Sequence, residues 1–568
     1  MIKKILPYFI VLLFSYWTVK PMLIEGFFPM HDDTQPARIY ALERELKNGI
    51  FPVRLVDYLG YGYGYPLYNF YAPLPYYFGA LFRLGGGNLI ISVKMMFMVG
   101  TLLSGVFMYL FASSIAGVYL GLVSSLLYVY APYHAVNIYV RGAVGEYYAY
   151  AFLPLLAYGI YRIFAYKPKS VQKFFLILPG IFGLWGILLS HNIFGLITLY
   201  LLASLFAVSL FLFIFKKLQS IKLVLLSALI VWGISLSAFF ILPAFSERNF
   251  TDVNTLFTGG SNFADHFVYF SQLWDSPWGF AGSAPLLSDG LSFKIGKLHI
   301  IIAVFSLVYF IYLLVKKRLE TAQSVFYSMV IFSAIISLLM TLPVSDIIYR
   351  NLPFLKFVQY PWRFLNLALF AVSLMPLIFS KLDSNLIKII ISVSIISLLL
   401  IIYPKYFNPK YIYLFNQTDY LDASNLRYTV SRISDEYLPP DLIPPADVSQ
   451  VPQGIVQLNE AQTVETIKNT ASEKIISLKL IRASQIQTNI AFFPGWQALV
   501  NGKKIKLLRN NGKIVLNLPP GNHILKLSFK NTPVRTISNA ISFFAFVLLV
   551  YLTLMQYFWL WKKKYRSK

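Results

Sequence analysis

The sequence predicts a polytopic α-helical membrane protein with a small β domain near its C-terminal end and a last transmembrane helix after it. Three observations carry this. Only 13% of the 568 residues are charged and 57% are hydrophobic, where a soluble domain carries ~25% charge. Apolar runs long enough to cross ~30 Å of hydrocarbon recur along the chain. Residues 404–535 form the long stretch without such a run.

The formal net charge is +25. Nucleic-acid binding is the usual reading of so basic a chain. The placement of the charge argues against it, because Lys and Arg gather at the ends of apolar runs, as cytoplasmic loops do. The chain has no cysteine, hence no disulfide and no thiolate metal site.

The first run, 5–24, follows Lys3-Lys4 and lacks a small-x-small cleavage site, so it reads as an uncleaved span. Further runs fall near 88–112, 117–133, 146–166, 174–190, 193–215, 222–243, 298–315, 322–343, 363–380, 387–403 and 536–560, about twelve in all. With Lys3-Lys4 inside, every second loop should be basic. The expected inner loops carry Lys167, Lys169 and Lys173, then Lys216, Lys217 and Lys222, then Lys316, Lys317 and Arg318, then Lys381 and Lys388. The tail carries Lys562, Lys563, Lys564, Arg566 and Lys568. Both termini are therefore expected in the cytoplasm and the spans in the plasma membrane. Segments 25–87, 134–145, 244–297 and 404–535 are expected outside, with 191–192 and 344–362 on the same face. The chain divides into a transmembrane domain (1–403), an extracytoplasmic, mainly β domain (404–535), and a final helix with a basic tail (536–568).

The first outer loop has internal order. Asp33-Thr34 before Pro36 is helix-start chemistry. Ile39, Leu42, Leu46 and Ile50 then share one face, and Arg38, Glu43, Arg44, Glu45 and Lys47 lie elsewhere, which predicts an amphipathic helix on the membrane surface. Tyrosines 58, 61, 63, 65, 68, 71, 76 and 77 follow among Gly and Pro. Residues 73–84 are too short to span and read as a second interfacial helix. In the outer domain, strand-like runs occur at 474–482, 487–493, 496–500, 503–509, 513–518 and 523–529. Asn501-Gly502 and Asn511-Gly512 signal tight hairpins, so a small antiparallel sandwich is expected. The proline-rich 436–455 stretch reads as an extended linker.

Ionisable residues are nearly absent from mid-span, Lys94 excepted, and it can snorkel outward. A proton-coupled transporter needs buried carboxylates or histidines at the midplane, and the polar residues here collect at span ends instead. His31-Asp32-Asp33 come first. A carboxylate there can take a proton from an acceptor hydroxyl or hold Mg2+ or Mn2+; Asp33 can equally cap the following helix. Arg141 and Glu146 suit either a phosphate clamp or an ion pair. His191-Asn192 forms an outer turn, Glu247 and Arg248 end a span, and Trp362-Arg363 precedes one. The first two fit an ordinary polar turn and a plain helix-end pair, and Trp362-Arg363 fits an interface anchor as well as a lipid phosphate with an isoprenoid chain beside it. The tyrosine cluster, Tyr65 within it, reads as an aromatic belt or as a stacking platform for a sugar.

Met30-His-Asp-Asp-Thr34, Arg141-Gly-Ala-Val-Gly-Glu146, Ser190-His-Asn192, Gln359-Tyr-Pro-Trp-Arg363, Glu436-Tyr-Leu-Pro439 and Phe493-Pro-Gly-Trp-Gln-Ala-Leu-Val-Asn-Gly502 occur in this order. On these runs the chain resembles the GT-C superfamily of integral-membrane glycosyltransferases. More narrowly it resembles the prokaryotic membrane family labelled 6-pyruvoyl-tetrahydropterin synthase related, which neighbours YfhO-type proteins. The pterin label implies nothing, since no His cluster suits a zinc-dependent pterin enzyme. The resemblance implies an inverting transferase of the cell envelope. Its sugar donor would be linked to a polyprenyl phosphate, and its acceptor would be a glycan, lipid or protein. Asp32 or Asp33, beside His31, would be base or metal ligand, and Arg141 and Arg363 would meet the phosphate leaving group. The adjacent acids depart from the spaced pair of many superfamily members. A scaffold that binds lipid-linked sugar without catalysis, or an envelope lipid or polysaccharide transporter, are the competing readings.

Overall fold

Every predicted apolar run is largely helical where it is described. The computed structural model describes residues 2–165, 173–253, 255, 262–457 and 462–566. The expected loop residues Lys167, Lys169 and Lys568 lie outside these. The helices are α1 (Ile2–Phe14), α2 (Gln35–Lys47), α3 (Leu74–Leu84), α4 (Leu89–Tyr130), α5 (Pro132–Tyr139), α6 (Val144–Phe164), α7 (Lys173–Ser190), α8 (Asn192–Ile214), α9 (Ser220–Ser246), α10 (Lys297–Val315), α11 (Thr321–Leu339), α12 (Leu365–Leu374), α13 (Asn385–Ile402) and α14 (Pro533–Arg566). Among the described residues eight helices are long and apolar enough to cross a membrane, or nine if the bent pair 5–14 and 16–23 is one span. One of the eight, α4, does double duty. Its 42 residues would run about 63 Å if straight, but Gly117 at φ 78° and ψ −175° reverses it. Ser125 Oγ then donates to the Gly105 carbonyl at 2.7 Å, so two expected spans form one tight hairpin. The segment around α12, 361–381, is the most enclosed, with 78% of its apolar window buried against 11% for α14.

Contacts between loops sort the two ends of the bundle. At one end Lys222 Nζ donates to the Phe164 carbonyl at 2.7 Å, and Arg318 lies 3.8 Å from Asp383. These are the expected basic loops. The other end carries the 25–87 loop, the 140–143 turn, His191 and the β domain.

Helix α2 departs from expectation. It does not lie on a surface with a wet polar face: Arg38, Glu43 and Glu45 are buried along with Ile39 and Leu42. Its apolar side meets α3, where Gly79 leaves room for Ile39, and its polar residues meet several elements: Arg38 meets Ser434, Glu43 meets Arg83 of α3, and Arg44 meets Asp57. The tyrosine loop is likewise not a belt. Tyr61, Tyr63, Tyr65, Tyr68 and Tyr76 are buried. Several of their hydroxyls find partners, as buried phenols must: Tyr68 donates to the Arg38 carbonyl at 2.6 Å and Tyr61 to Asp435 at 2.9 Å.

The β domain has strands β1 (Gln462–Asn469), β2 (Glu473–Leu480), β3 (Ser484–Ala491), β4 (Trp496–Val500), β5 (Lys503–Ile505), β6 (Leu508–Asn510), β7 (Lys513–Leu518) and β8 (Gly521–Phe529). Two antiparallel sheets form, ordered β1-β2-β8-β4-β5 and β3-β7-β6. Asn501-Gly502 and Asn511-Gly512 each have two consecutive positive φ values, which two-residue hairpins require. The expected strand 503–509 is split, and β1 was not foreseen. It is a polar edge strand with a bulge between Thr466 and Lys468, so alternation is lost there. The 436–455 stretch is no free linker. Tyr437, Leu438, Leu442 and Ile455 are buried, and Asn489 N–H donates to the Ile455 carbonyl at 2.7 Å.

Candidate functional site

The site begins as a strip of backbone. His31 N–H donates to the Val140 carbonyl at 3.0 Å and Asp32 N–H to the Arg141 carbonyl at 2.9 Å. Gln35 Nε2 donates to the Gly142 carbonyl at 2.7 Å. Gly142 has φ 64°, and a Cβ there would strike Met30. Only glycine gives this turn without strain. The motifs at 30–34 and 139–146 are thus zipped together, though a hundred residues separate them.

Beyond Arg141 lies a buried ion cluster. Arg141 holds Glu146 with both nitrogens of its fork, Nη1 at 2.9 Å and Nη2 at 2.8 Å. Arg363 Nε reaches the same carboxylate at 2.7 Å. Its Nη1 donates to Gln359 Oε1 and to the Val358 carbonyl, both at 2.7 Å. Asn137 accepts from Arg141 at 2.7 Å and donates to Asn366 at 3.0 Å. Trp362 covers the Arg141 guanidinium at 4.4 Å. Glu146 sits in the first turn of α6, where the helix dipole favours an anion. Two guanidinium groups face one carboxylate, so the cluster is cationic. Glu146 and neighbouring tyrosine hold the Arg141 guanidinium firmly protonated despite its burial. His191 Nδ1 accepts from Phe194 N–H at 3.1 Å, and Nε2 lies 4.0 Å from Glu146. Burial lowers its pKa to about 3, so it stays neutral, with the proton on Nε2 toward Glu146.

The acids follow His31, Asp32 being paired with Arg141 itself, and both are half-buried. Burial raises Asp33 to about 6, and its Oδ1 finds no partner among the described residues. Burial also raises Asp32, against the pull of Arg141 and Arg38. Neither caps α2: Thr34 precedes it, without a side-chain hydrogen bond. His31 is exposed, and its Nε2 lies 3.0 Å from the Phe280 carbonyl.

Arg38 was read only as part of a polar helix face. It is buried, with Nη1 on Tyr76 Oη at 3.1 Å and Nη2 on Ser434 Oγ at 3.2 Å. Its partners come from remote chain. Asn366 carried a signal, an amide three residues past Arg363 inside an apolar run.

Other expected residues lie apart. Glu247 accepts from Arg535 Nη2 at 2.9 Å, Asn69 at 2.9 Å and Thr532 at 2.7 Å, pinning the start of α14 to the end of α9. It is a structural latch, because α14 needs a polar anchor where it enters the bundle. Arg248 is exposed and stacks on Phe245 at 4.6 Å. Tyr65 is only 1% exposed, and its ring packs on Tyr437, so it presents no face to a sugar. For a cation, no group of three or more His, Asp or Glu that could hold one occurs among the described residues. Asp32 and Asp33 alone leave a Mg2+ or Mn2+ shell mostly to water.

A family model described as 6-pyruvoyl-tetrahydropterin synthase related domain, membrane protein, matches residues 68–409. An uncharacterized protein of Lactococcus lactis subsp. cremoris (strain MG1363) is 28% identical over 228 residues, 38% of this chain. The chain spans about a third of that relative, 35% of its length. Among solved structures, the apo oligosaccharyltransferase of Archaeoglobus fulgidus aligns with TM-score 0.46 and 12% identity, over 70% of this chain and 55% of that one. ArnT of Cupriavidus metallidurans bound to undecaprenyl phosphate aligns with TM-score 0.29 and 14% identity, over 67% and 78%.

Proposed function

The chain belongs to the 6-pyruvoyl-tetrahydropterin synthase related family of membrane proteins, and on that premise we propose that it transfers a sugar from a polyprenyl-phosphate donor to an acceptor hydroxyl at the membrane surface. The observation that carries this is the strip joining Asp32-Asp33 to Arg141. Asp32 pairs on that strip with Arg141 and feels its charge, Asp33 with a pKa near 6 is the next residue, and Arg141 and Arg363 converge on Glu146. A general base works best with a pKa near the operating pH, and a leaving phosphate needs fixed positive charge. Asp33 takes the acceptor proton as the acceptor oxygen bonds to the anomeric carbon. The bond from that carbon to the phosphate oxygen breaks, and the lipid phosphate leaves toward Arg141 and Arg363. One displacement inverts the anomeric centre. The reading places this chemistry on the extracytoplasmic face, in the cell envelope.

The test is transfer by purified protein in lipid nanodiscs, with a panel of undecaprenyl-phosphate hexoses and pentoses. Wild type transfers one of them; Asp33→Asn loses at least a hundredfold, and Asp32→Asn loses less. Undiminished transfer in both variants overturns the assignment of the base. One observation favours a second reading, a scaffold that binds the lipid-linked sugar. Both arginines are already held by Glu146. Binding without turnover of any donor selects it.

A further inference from the structure

Across α2 from Asp32, the 404–457 segment brings a fourth carboxylate near Arg38. Ser434 accepts from Arg38 Nη2 at 3.2 Å, and its own hydroxyl donates to Glu436 Oε1 at 3.1 Å. Arg38 is thus one residue away from Glu436 through hydrogen bonds, and its charge also acts on Asp32. Glu436 is half-buried, so one side still meets solvent. Tyr71, which also meets Arg38, is likewise half-buried, with the Arg38 guanidinium 4.1 Å from its ring centroid. Behind them Tyr65, Tyr437 and Phe70 form a fixed wall, with ring centroids 5.7 and 5.3 Å from Tyr437.

A charged acceptor held in place by Ser434, with a half-buried aromatic ring on rigid backing, matches vicinal hydroxyls on an apolar ring face. Hydrogen bonds to a carboxylate are the strong kind, and a few convergent polar groups on an aromatic wall are how such ligands are oriented. We propose that Glu436, with Ser434 and Arg38, forms a glycosyl-binding subsite beside Asp32 that holds the sugar of the lipid-linked donor by its hydroxyls. The proposal rests on the transferase reading for the identity of that donor. Glu436 binds and positions, and takes no proton from the reacting hydroxyl.

The experiment is binding, not turnover. Full-length protein in nanodiscs is titrated with bare undecaprenyl phosphate and with the panel of undecaprenyl-phosphate hexoses and pentoses. Wild type binds at least one glycosylated lipid about ten-fold more tightly than the bare lipid, the discrimination expected of a charged hydrogen bond. Glu436→Ala removes that preference and leaves affinity for bare lipid phosphate unchanged. If Glu436→Ala is not monodisperse, the same ratio in Glu436→Gln decides, falling at least threefold. An intact preference in a folded variant overturns the subsite and leaves the transferase reading standing. Absence of any preference in wild type overturns both. A preference that depends on Glu436, in a protein that transfers no sugar, keeps the subsite and removes the transferase.

Discussion

Glu146 is shared by two buried arginines, and removing it would leave both charges without their acceptor. Breaking a buried pair from one side costs about 3–5 kcal/mol. Glu146→Gln should therefore lower unfolding stability by that order, read by denaturation of the purified protein in detergent. Asp275, half-exposed between Lys294 and Lys297, offers the contrast. Its removal should cost under about 1 kcal/mol, because exposed pairs are screened. In the proposed transfer Asp33 sets the pH response. Below about 6 it is protonated and accepts nothing, and above it the base is available. Transfer should rise through pH 6 and level off above pH 7, with Tyr413 and Tyr420 close enough to feel the carboxylate's charge. A rate that is flat from pH 5 to 8 would remove Asp33 from the mechanism.

At the scale of elements, the 140–143 turn decides whether the strip exists. Gly142→Ala would force a residue with φ near 64° against Met30. The expected cost is about 1–2 kcal/mol. The larger effect should be on transfer, since His31 and Asp32 would come off their carbonyls; hydrogen exchange at those two amides would show it. Helix α2 carries a second pH effect. Glu45 is fully buried, and burial with Asp57 beside it raises its pKa to about 7, Arg44 and Lys474 pulling the other way. Its folded pKa is above its unfolded value, so the folded state binds the extra proton between about 4.5 and 7. Stability must fall as pH rises through that window. Glu45→Gln should flatten the slope and raise stability at pH 8 by on the order of 1 kcal/mol.

For the whole molecule, composition spoke loudly and distance silenced the rest. The apolar runs became helices because no other structure satisfies a backbone inside lipid, and Asn-Gly became hairpins because few other pairs accept that turn. The 30–34, 141–146 and 359–363 runs were legible as polar residues at span ends. Arg38 was not, because Ser434 is 396 positions away and a helical wheel cannot see a cover that arrives from elsewhere. Sidedness is directly measurable, since the chain has no cysteine of its own. His31→Cys should react with an impermeant maleimide on intact cells, and Lys317→Cys only after permeabilisation; the reverse pattern would dismantle the topology. The clasp between early and late chain also orders events in time. When Arg38 leaves the ribosome, its Ser434 partner has not been translated, and Arg535 reaches Glu247 only 288 residues after it. The nascent polypeptide must therefore carry Arg38 without its Ser434 partner through most of membrane insertion. A truncation anywhere before residue 434 yields a species that quality-control proteases should meet with an uncovered α2.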